Sequence, residues 1–284
     1  MRAGETPDVT VVIPVWDSYC EQLADCVASA SDQEGVDVRV VVVDNASELP
    51  LPRLDGRVSV VRSEARLGVG AARNLGLAAV ETDYVAFLDA DDVLLPDALA
   101  FLTRVLEEDE QGVTSGGRFV SWNPETDERL VVRRAPKPVV LAVSRFQRPF
   151  ALANLVWNTF PVVGCVHRTS AVRDAGGFGG GSVGEDWILG AMLCFRGRVV
   201  FSERETFLRR VHRGSLWYRP HAPEELLERN AALRYRARRD PGVPRWTKAL
   251  LPLLAHVHRL SVRRATRAGV VEPESPVLVT WSGR

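Results

Sequence analysis

An α/β fold built on a largely parallel sheet is predicted by three features of this chain. Apolar, β-branched runs recur at TVVIPV (10–15), VDVRVVVVD (36–44), RVSVVRS (57–63) and DYVAFLD (83–89). Stretches with helical spacing alternate with them. Each run is bounded by turn signals, the pattern of buried strands in a layered fold with helices on both faces.

Along the chain, residues 18–31 read as a helix with Leu23, Cys26, Val27 and Ala30 on one face. Residues 68–80 form a Gly/Ala-rich helix, and Pro96 stands where a first helical turn would open a helix to about Glu108. From 113 to 143 the character changes: GVTSGGRFVSW and RLVVRR read as antiparallel strands. Next come a helix at 145–158, a strand at 162–167 and a helix at 185–196, the last behind the glycine-rich GGFGGGSVGED. Residues 223–239 and 245–267 read as two basic helices separated by the breaker DPGVP. The expected organisation is an α/β domain over 1–215, divided into 9–110 and 111–215, with a basic helical extension over 216–284.

Composition narrows the class. With 46% hydrophobic and 25% charged residues in 284, the chain is neither disordered nor collagen-like nor a disulfide scaffold. The 36 basic and 36 acidic residues balance overall, but residues 204–267 hold 16 Arg/Lys against 5 Asp/Glu. That imbalance points to an anionic partner near the C-terminal third: phosphate, lipid headgroup or nucleic acid. Cys20, Cys26, Cys165 and Cys194 form no CxxC pair, so reduced thiols in a cytoplasmic protein are expected. MRAGETPD lacks the apolar core of a signal peptide, and no run approaches 18 apolar residues. Only Lys137 and Lys248 are lysines, a bias expected of a GC-rich bacterial genome.

Six segments could carry chemistry. FLDADD (87–92) ends a predicted buried strand, where open α/β sheets bind ligands. Asp89 and Asp91 can face one site there, their repulsion offset by Mg²⁺ or Mn²⁺; an Asp-rich turn or helix entry is the plain alternative. An EF-hand is excluded, because Leu94 and Ala100 stand where its glycine and glutamate belong. In RLGVGAARNLG (66–76), Gly68 and Gly70 permit close backbone approach, and Arg73 could hold phosphate or simply be solvated. A dinucleotide loop fits poorly, since Arg73 occupies its third glycine position. Asp44 could read a nucleobase or close an Asx turn, and Trp16, just beyond Pro14, could stack on a base or line the core. Glu185 and Asp186 open a helix, as a general base would or as acids at a helix N-terminus commonly do. His212, in RRVHRGSLW, is either a ligand or structural.

The order and spacing of VVIPVW, VVVDNAS, GVGAARNLGL, YVAFLDADD, GGF…GEDW and RRVHRGS together resemble the family 2 inverting glycosyltransferases with a GT-A fold, over about residues 9–217. The resemblance implies a Rossmann-like central sheet, with 9–110 as the nucleotide-sugar-binding half and 111–215 as the acceptor-binding half. It implies that Pro14, Trp16 and Asp44 hold the nucleobase and ribose, and that Arg73 faces the diphosphate. Asp89 would reach the ribose or the metal shell, Asp91 would ligate Mn²⁺ or Mg²⁺, and His212 would complete that shell. Asp186 would be the catalytic base, with Glu185 shaping the acceptor site. Tyr is common in relatives where Trp16 stands, and Asn where Arg66 stands, so the base is left open among UDP-, dTDP- and GDP-linked donors.

The expected activity is therefore transfer of a sugar from a nucleotide diphosphate donor to an acceptor hydroxyl by single displacement. A non-catalytic nucleotide-sugar-binding protein and a nicotinamide-dependent oxidoreductase are the rival readings. For residues 245–267 two readings stand: a helix packed on the catalytic domain, interrupted by Pro252, or an interfacial helix resting on anionic lipid at the inner face of the membrane. Nucleic-acid binding is not expected, for want of a recognition motif.

Overall fold

The computed structural model describes residues 6–54, 58–130, 146–179, 184–211 and 222–267. Within them lie strands β1 (Asp8–Val15), β2 (Asp37–Asn45), β3 (Val58–Ser63), β4 (Tyr84–Phe87), β5 (Val93–Leu94), β6 (Gly112–Asn123), β7 (Glu128–Leu130), β8 (Val166–Arg168) and β9 (Arg198–Arg210). The helices are α1 (Leu23–Ser31), α2 (Val69–Ala78), α3 (Ala98–Glu107), α4 (Gln147–Asn154), α5 (Thr169–Asp174), α6 (Glu185–Leu193), α7 (Pro223–Arg239) and α8 (Arg245–Arg267). All these strands join one sheet, ordered β3-β2-β1-β4-β8-β6-β9-β5, with β7 paired to β6.

Strands β3, β2, β1 and β4 are mutually parallel. From β4 onward the pairing mixes, with β8 antiparallel to both β4 and β6, and β9 parallel to β6. The alternation of side chains along each strand divides the core in two. Val9, Val11, Ile13 and Val15 of β1 join Val40 and Val42 of β2 under α1 and α3. Val12, Val41, Val43, Val85 and Phe87 face the other way, into a core shared with α2, α6, α7 and α8. The runs are continuous in sequence because both faces of these strands are covered.

Three findings adjust the sequence expectations. The helix expected over 18–31 is a 3₁₀ turn (Asp17–Tyr19) followed by α1, which buries Leu23, Cys26, Val27 and Ala30. Pro252 does not interrupt the last helix: α8 runs through it. Pro252 is exposed, so the Lys248 carbonyl it leaves without an intrahelical donor lies on the solvent side. The paired helices α7 and α8 place Leu233, Ala237 and Leu251, and the link between them Val243, in the same apolar cluster as the sheet. No helix among the described residues is long and apolar enough to cross a membrane.

Candidate active site

The carboxyl ends of β2, β1 and β4 lie side by side, so the loops leaving these strands meet over one edge of the sheet. After β4 the chain turns through Asp89, Asp91 and Asp92, then enters the two-residue strand β5, which pairs with Phe207 and Leu208 of β9. That pairing positions the acidic turn. Arg210, closing β9, donates its backbone N–H to Asp92 Oδ1 (3.1 Å) and its Nε–H to the Asp91 carbonyl (3.0 Å). One ligand oxygen from each of the three aspartates falls within 4.8 Å of the others.

The three acids are not equivalent. Asp92 is buried, and burial pushes its carboxyl well above the usual range, Arg209 opposing and Asp91 and Asp89 adding to the rise. Asp89 and Asp91 are partly exposed. Hard carboxylate oxygens so grouped fit a hard divalent cation taken by one or two protein carboxylates. Asp92, shielded and committed to Arg210, supports the turn from beneath.

Arg73 sits at the centre. It is 3% exposed, which excludes the solvated reading, and its fork is engaged twice: Nη2 to Asp89 Oδ1 at 2.5 Å and Nη1 to Glu185 Oε1 at 3.1 Å. Burial opposes its charge, but Asp89 and Glu185 outweigh burial, and its pKa is raised. Glu185 is pushed up by burial and by neighbouring Asp186, with Arg73 restraining the rise.

The approach of α2 to α6 that permits this bridge depends on Gly70. A Cβ there would lie 2.6 Å from the Gly179 carbonyl oxygen and 2.7 Å from Glu185 Cβ. Gly184, with φ of 70°, turns the chain into α6 in a left-handed conformation suited to glycine. Asp186 then accepts the Trp187 backbone N–H at Oδ1 (2.7 Å) and Asn158 Nδ2–H at Oδ2 (3.3 Å). Trp187 is buried, donating its indole N–H to the Asn154 carbonyl (2.6 Å), and its ring lies 5.6 Å from that of His258 on α8. The helix carrying the Glu185–Asp186 pair is thereby fastened to the C-terminal helices.

At the other side of the sheet edge, Pro14 is buried near the end of β1, and Trp16 just beyond it is partly exposed. The Arg66 guanidinium lies 4.6 Å above the Trp16 ring, and Tyr19 meets that ring edge-on at 4.7 Å. Burial first, then Asp91 and Asp89, push the Tyr19 phenol up to about 12, which ties this aromatic corner to the acidic turn. Asp44 is buried; it accepts the Ser47 N–H (3.0 Å), as an Asx turn requires, and the Arg62 guanidinium. Asp17 holds the neighbouring loop through the Glu48 and Leu49 N–H groups.

The fold therefore brings together Arg73, Asp89 and Glu185, with Asp91 beside Asp89 and Asp186 beside Glu185. It sets Pro14, Trp16 and Asp44 on the same strand edge. His212 lies outside the described residues. Asn158, Arg62 and Tyr19 escaped sequence reasoning, since none belongs to a motif. Asp92 was visible as the third acid of its run, without a role.

Comparison with known proteins places this geometry. The solved structure of S. aureus TarS residues 1–349 in complex with UDP-GlcNAc superposes with a TM-score of 0.62 at 16% identity, covering 92% of each chain, a likeness of fold. The pre-mycofactocin glycosyltransferase of Mycobacterium tuberculosis (strain ATCC 25618 / H37Rv) is 33% identical over 178 residues, 60% of this chain and 35% of that one. The succinoglycan biosynthesis protein ExoO of Rhizobium meliloti (strain 1021) is 39% identical over 100 residues, 34% of this chain and 28% of its own. The matched stretches thus cover about a third or less of these relatives' length. The sequence model described as Glycosyl transferase family 2 matches residues 10–173, more than half the chain. With the GT-A architecture and the acidic turn at its sheet edge, that match establishes that the chain belongs to glycosyltransferase family 2.

Proposed function

We propose that this transferase moves a sugar from a nucleotide diphosphate donor to an acceptor hydroxyl with inversion, assisted by Mn²⁺ or Mg²⁺. The observation that carries the reading is the Arg73 bridge between the acidic turn and the carboxylate pair of α6. A donor site and an acceptor site must lie next to each other for direct transfer, and one buried guanidinium serves both. The TarS structures hold UDP-GlcNAc and UDP, which supports a nucleotide-linked donor here.

Residues 9–110 form the nucleotide-sugar half in this reading and 111–215 the acceptor half, with 216–284 as the extension. Trp16 offers its face to the base, Asp44 an acceptor to a base N–H, and Pro14 shapes the floor. Asp91, with Asp89, holds the cation, and His212 remains a candidate for the same shell. A bound Mn²⁺ or Mg²⁺ would stabilise the negative charge that gathers on the departing diphosphate. Arg73 keeps Asp89 and Glu185 in register beneath that site. Asp186 takes the acceptor's hydroxyl proton as its oxygen attacks the anomeric carbon from the face opposite the leaving group. Its second oxygen accepts the Trp187 N–H, which fixes the carboxylate's orientation. One displacement inverts the centre, so no covalent nucleophile is needed.

The test is a panel of UDP-, dTDP- and GDP-sugars assayed for nucleoside diphosphate release with Mn²⁺, with Mg²⁺ and with chelator. Metal-dependent release from at least one donor supports the reading. Thermal stabilisation by a donor without release in any acceptor mixture points to a binding protein. Stabilisation by NAD(H) alone overturns it.

A further inference from the structure

Helix α8 carries two apolar faces. Thr247, Leu251, Ala255, His258 and Val262 recur at helical spacing and are buried against the body of the protein. On the opposite side Trp246, Leu253 and Leu260 recur every seven residues, close to two helical turns, and so form one line. They are 46%, 59% and 42% exposed. The outer face of a packed helix is ordinarily polar, so this stripe calls for a partner.

A further exposed aromatic stands beside the helix. Trp157, 48% exposed, donates its indole N–H to Ser261 Oγ at 3.1 Å and so flanks α8. Exposed Arg245, Arg259, Arg263, Arg264 and Arg267 belong to the same helix, and no acid occurs between Arg245 and Arg267. On α7, burial first and then Arg259 and Arg238 pull the Arg234 guanidinium below its usual range. Cations are crowded here, and an arriving anion would relieve their repulsion.

A partner matching both features must be apolar in depth and anionic at its rim. A bilayer with anionic headgroups has that profile, and the long arginine stems can lie on apolar surface while their heads reach phosphate. A nucleic acid would satisfy the arginines but leave the stripe wet. We infer that the outward face of α8, flanked by Trp157, is a docking surface for an anionic lipid bilayer. Its location has a consequence, which rests on the function proposed above. Asn158, next in the chain to Trp157, donates to Asp186, so docking brings the acceptor side of the site to the membrane surface.

Cosedimentation of the full-length chain with vesicles tests this, using phosphatidylglycerol mixed with phosphatidylcholine, and phosphatidylcholine alone, at low and high salt. Expected is binding to the anionic vesicles at low salt, weakened about tenfold or more at high salt. The double variant Leu253→Glu/Leu260→Glu should bind about tenfold or more weakly, with an unchanged thermal melt and unchanged donor hydrolysis in solution. Arg263→Glu/Arg264→Glu should lose the preference for phosphatidylglycerol. Hydrolysis reads the enzymatic proposal separately, so either can fail alone. The inference is overturned if the chain stays in the supernatant with anionic vesicles at low salt, or if both double variants bind like the parent. It is also overturned by a dimer that Leu253→Glu/Leu260→Glu dissociates without any vesicle binding, which would give the face to a second copy. Binding of duplex DNA in place of vesicles would overturn it equally.

Discussion

Arg73 and Glu185, 112 residues apart in the chain, meet at 3.1 Å, and the same guanidinium reaches Asp89. Three elements, α2, the turn after β4 and the first turn of α6, are held in register by one buried cation. A planar fork can serve two carboxylates at fixed angles, which a lysine ammonium on a flexible stem cannot.

Arg73→Ala is expected to cost about 3 kcal/mol of stability, since it leaves Glu185 buried without its counter-charge. Arg73→Lys should restore most of that stability and little activity, with turnover down about tenfold to a hundredfold. Urea denaturation and donor turnover, measured on both variants, check this. Full turnover in Arg73→Lys would remove the positioning role.

Gly70→Ala sets two effects against each other. Replacing a glycine in a helix interior gains about 1 kcal/mol of helix propensity, and Gly70, the second residue of α2, gains less than that. The added methyl, however, meets the Gly179 carbonyl at 2.6 Å and Glu185 Cβ at 2.7 Å, and overpacking costs typically about 1–3 kcal/mol. Backbone cannot swing aside as a side-chain tip can, so the clash should prevail. The variant should melt lower and, below its melting temperature, turn over more slowly because Glu185 is displaced. A melting temperature equal to the parent's would show that α2 and α6 can part freely.

The parallel half of the sheet was legible because β1, β2 and β4 bury both faces and therefore read as unbroken apolar runs. Strand β5 and helix α5 were not, since two and six residues are too few to show a period. Asp89 and Asp91 could be found from their place at a strand end. Arg73's partners could not, because the contact with Glu185 is made by folding alone, and neither could the Arg62 guanidinium on Asp44. The spacing of α8 reveals a helix with apolar residues on several sides: Trp246, Leu250, Leu253 and Val257 recur as regularly as Thr247, Leu251, Ala255 and Val262. Only packing shows that the set headed by Leu251 is inside while Trp246, Leu253 and Leu260 are exposed, because a helix apolar over most of its circumference does not declare which side is buried.

His167 should make stability depend on pH. It is fully buried, Nδ1 2.9 Å from Thr114 Oγ1 and Nε2 3.0 Å from the Val162 carbonyl. Burial pulls its pKa down to about 4, outweighing the opposing effect of the hydrogen bond to the Val162 carbonyl. The unfolded chain, near the ordinary 6.5, therefore binds more protons between pH 6.5 and 4, and stability falls as pH falls through that window. By pH 5 the loss is about 2 kcal/mol. His167→Gln, compared with the parent by urea denaturation from pH 7.5 to 5, should lack this share of the slope; parallel curves would disprove it.

Asp91 and Asp186 should fail in different ways when replaced. Asp91→Ala removes a carboxylate from the acidic turn without touching α6, so metal-dependent binding of the donor nucleotide should nearly vanish. Binding measured without metal should hardly change. Asp186→Asn keeps the shape of the side chain. Its carbonyl oxygen still accepts the Trp187 N–H, and the Asn158 amide can turn over to offer its own oxygen. Donor affinity should therefore survive, while the lost proton acceptor lowers transfer to a hydroxyl acceptor by about two orders of magnitude or more. Calorimetric titration of the nucleotide with and without Mn²⁺ reads the first variant, and single-turnover transfer reads the second. Undiminished Mn²⁺-dependent affinity in Asp91→Ala would take Asp91 out of the metal site. Undiminished transfer in Asp186→Asn would take the proton away from Asp186 and leave Glu185, raised in pKa beside it, as the carboxylate to examine.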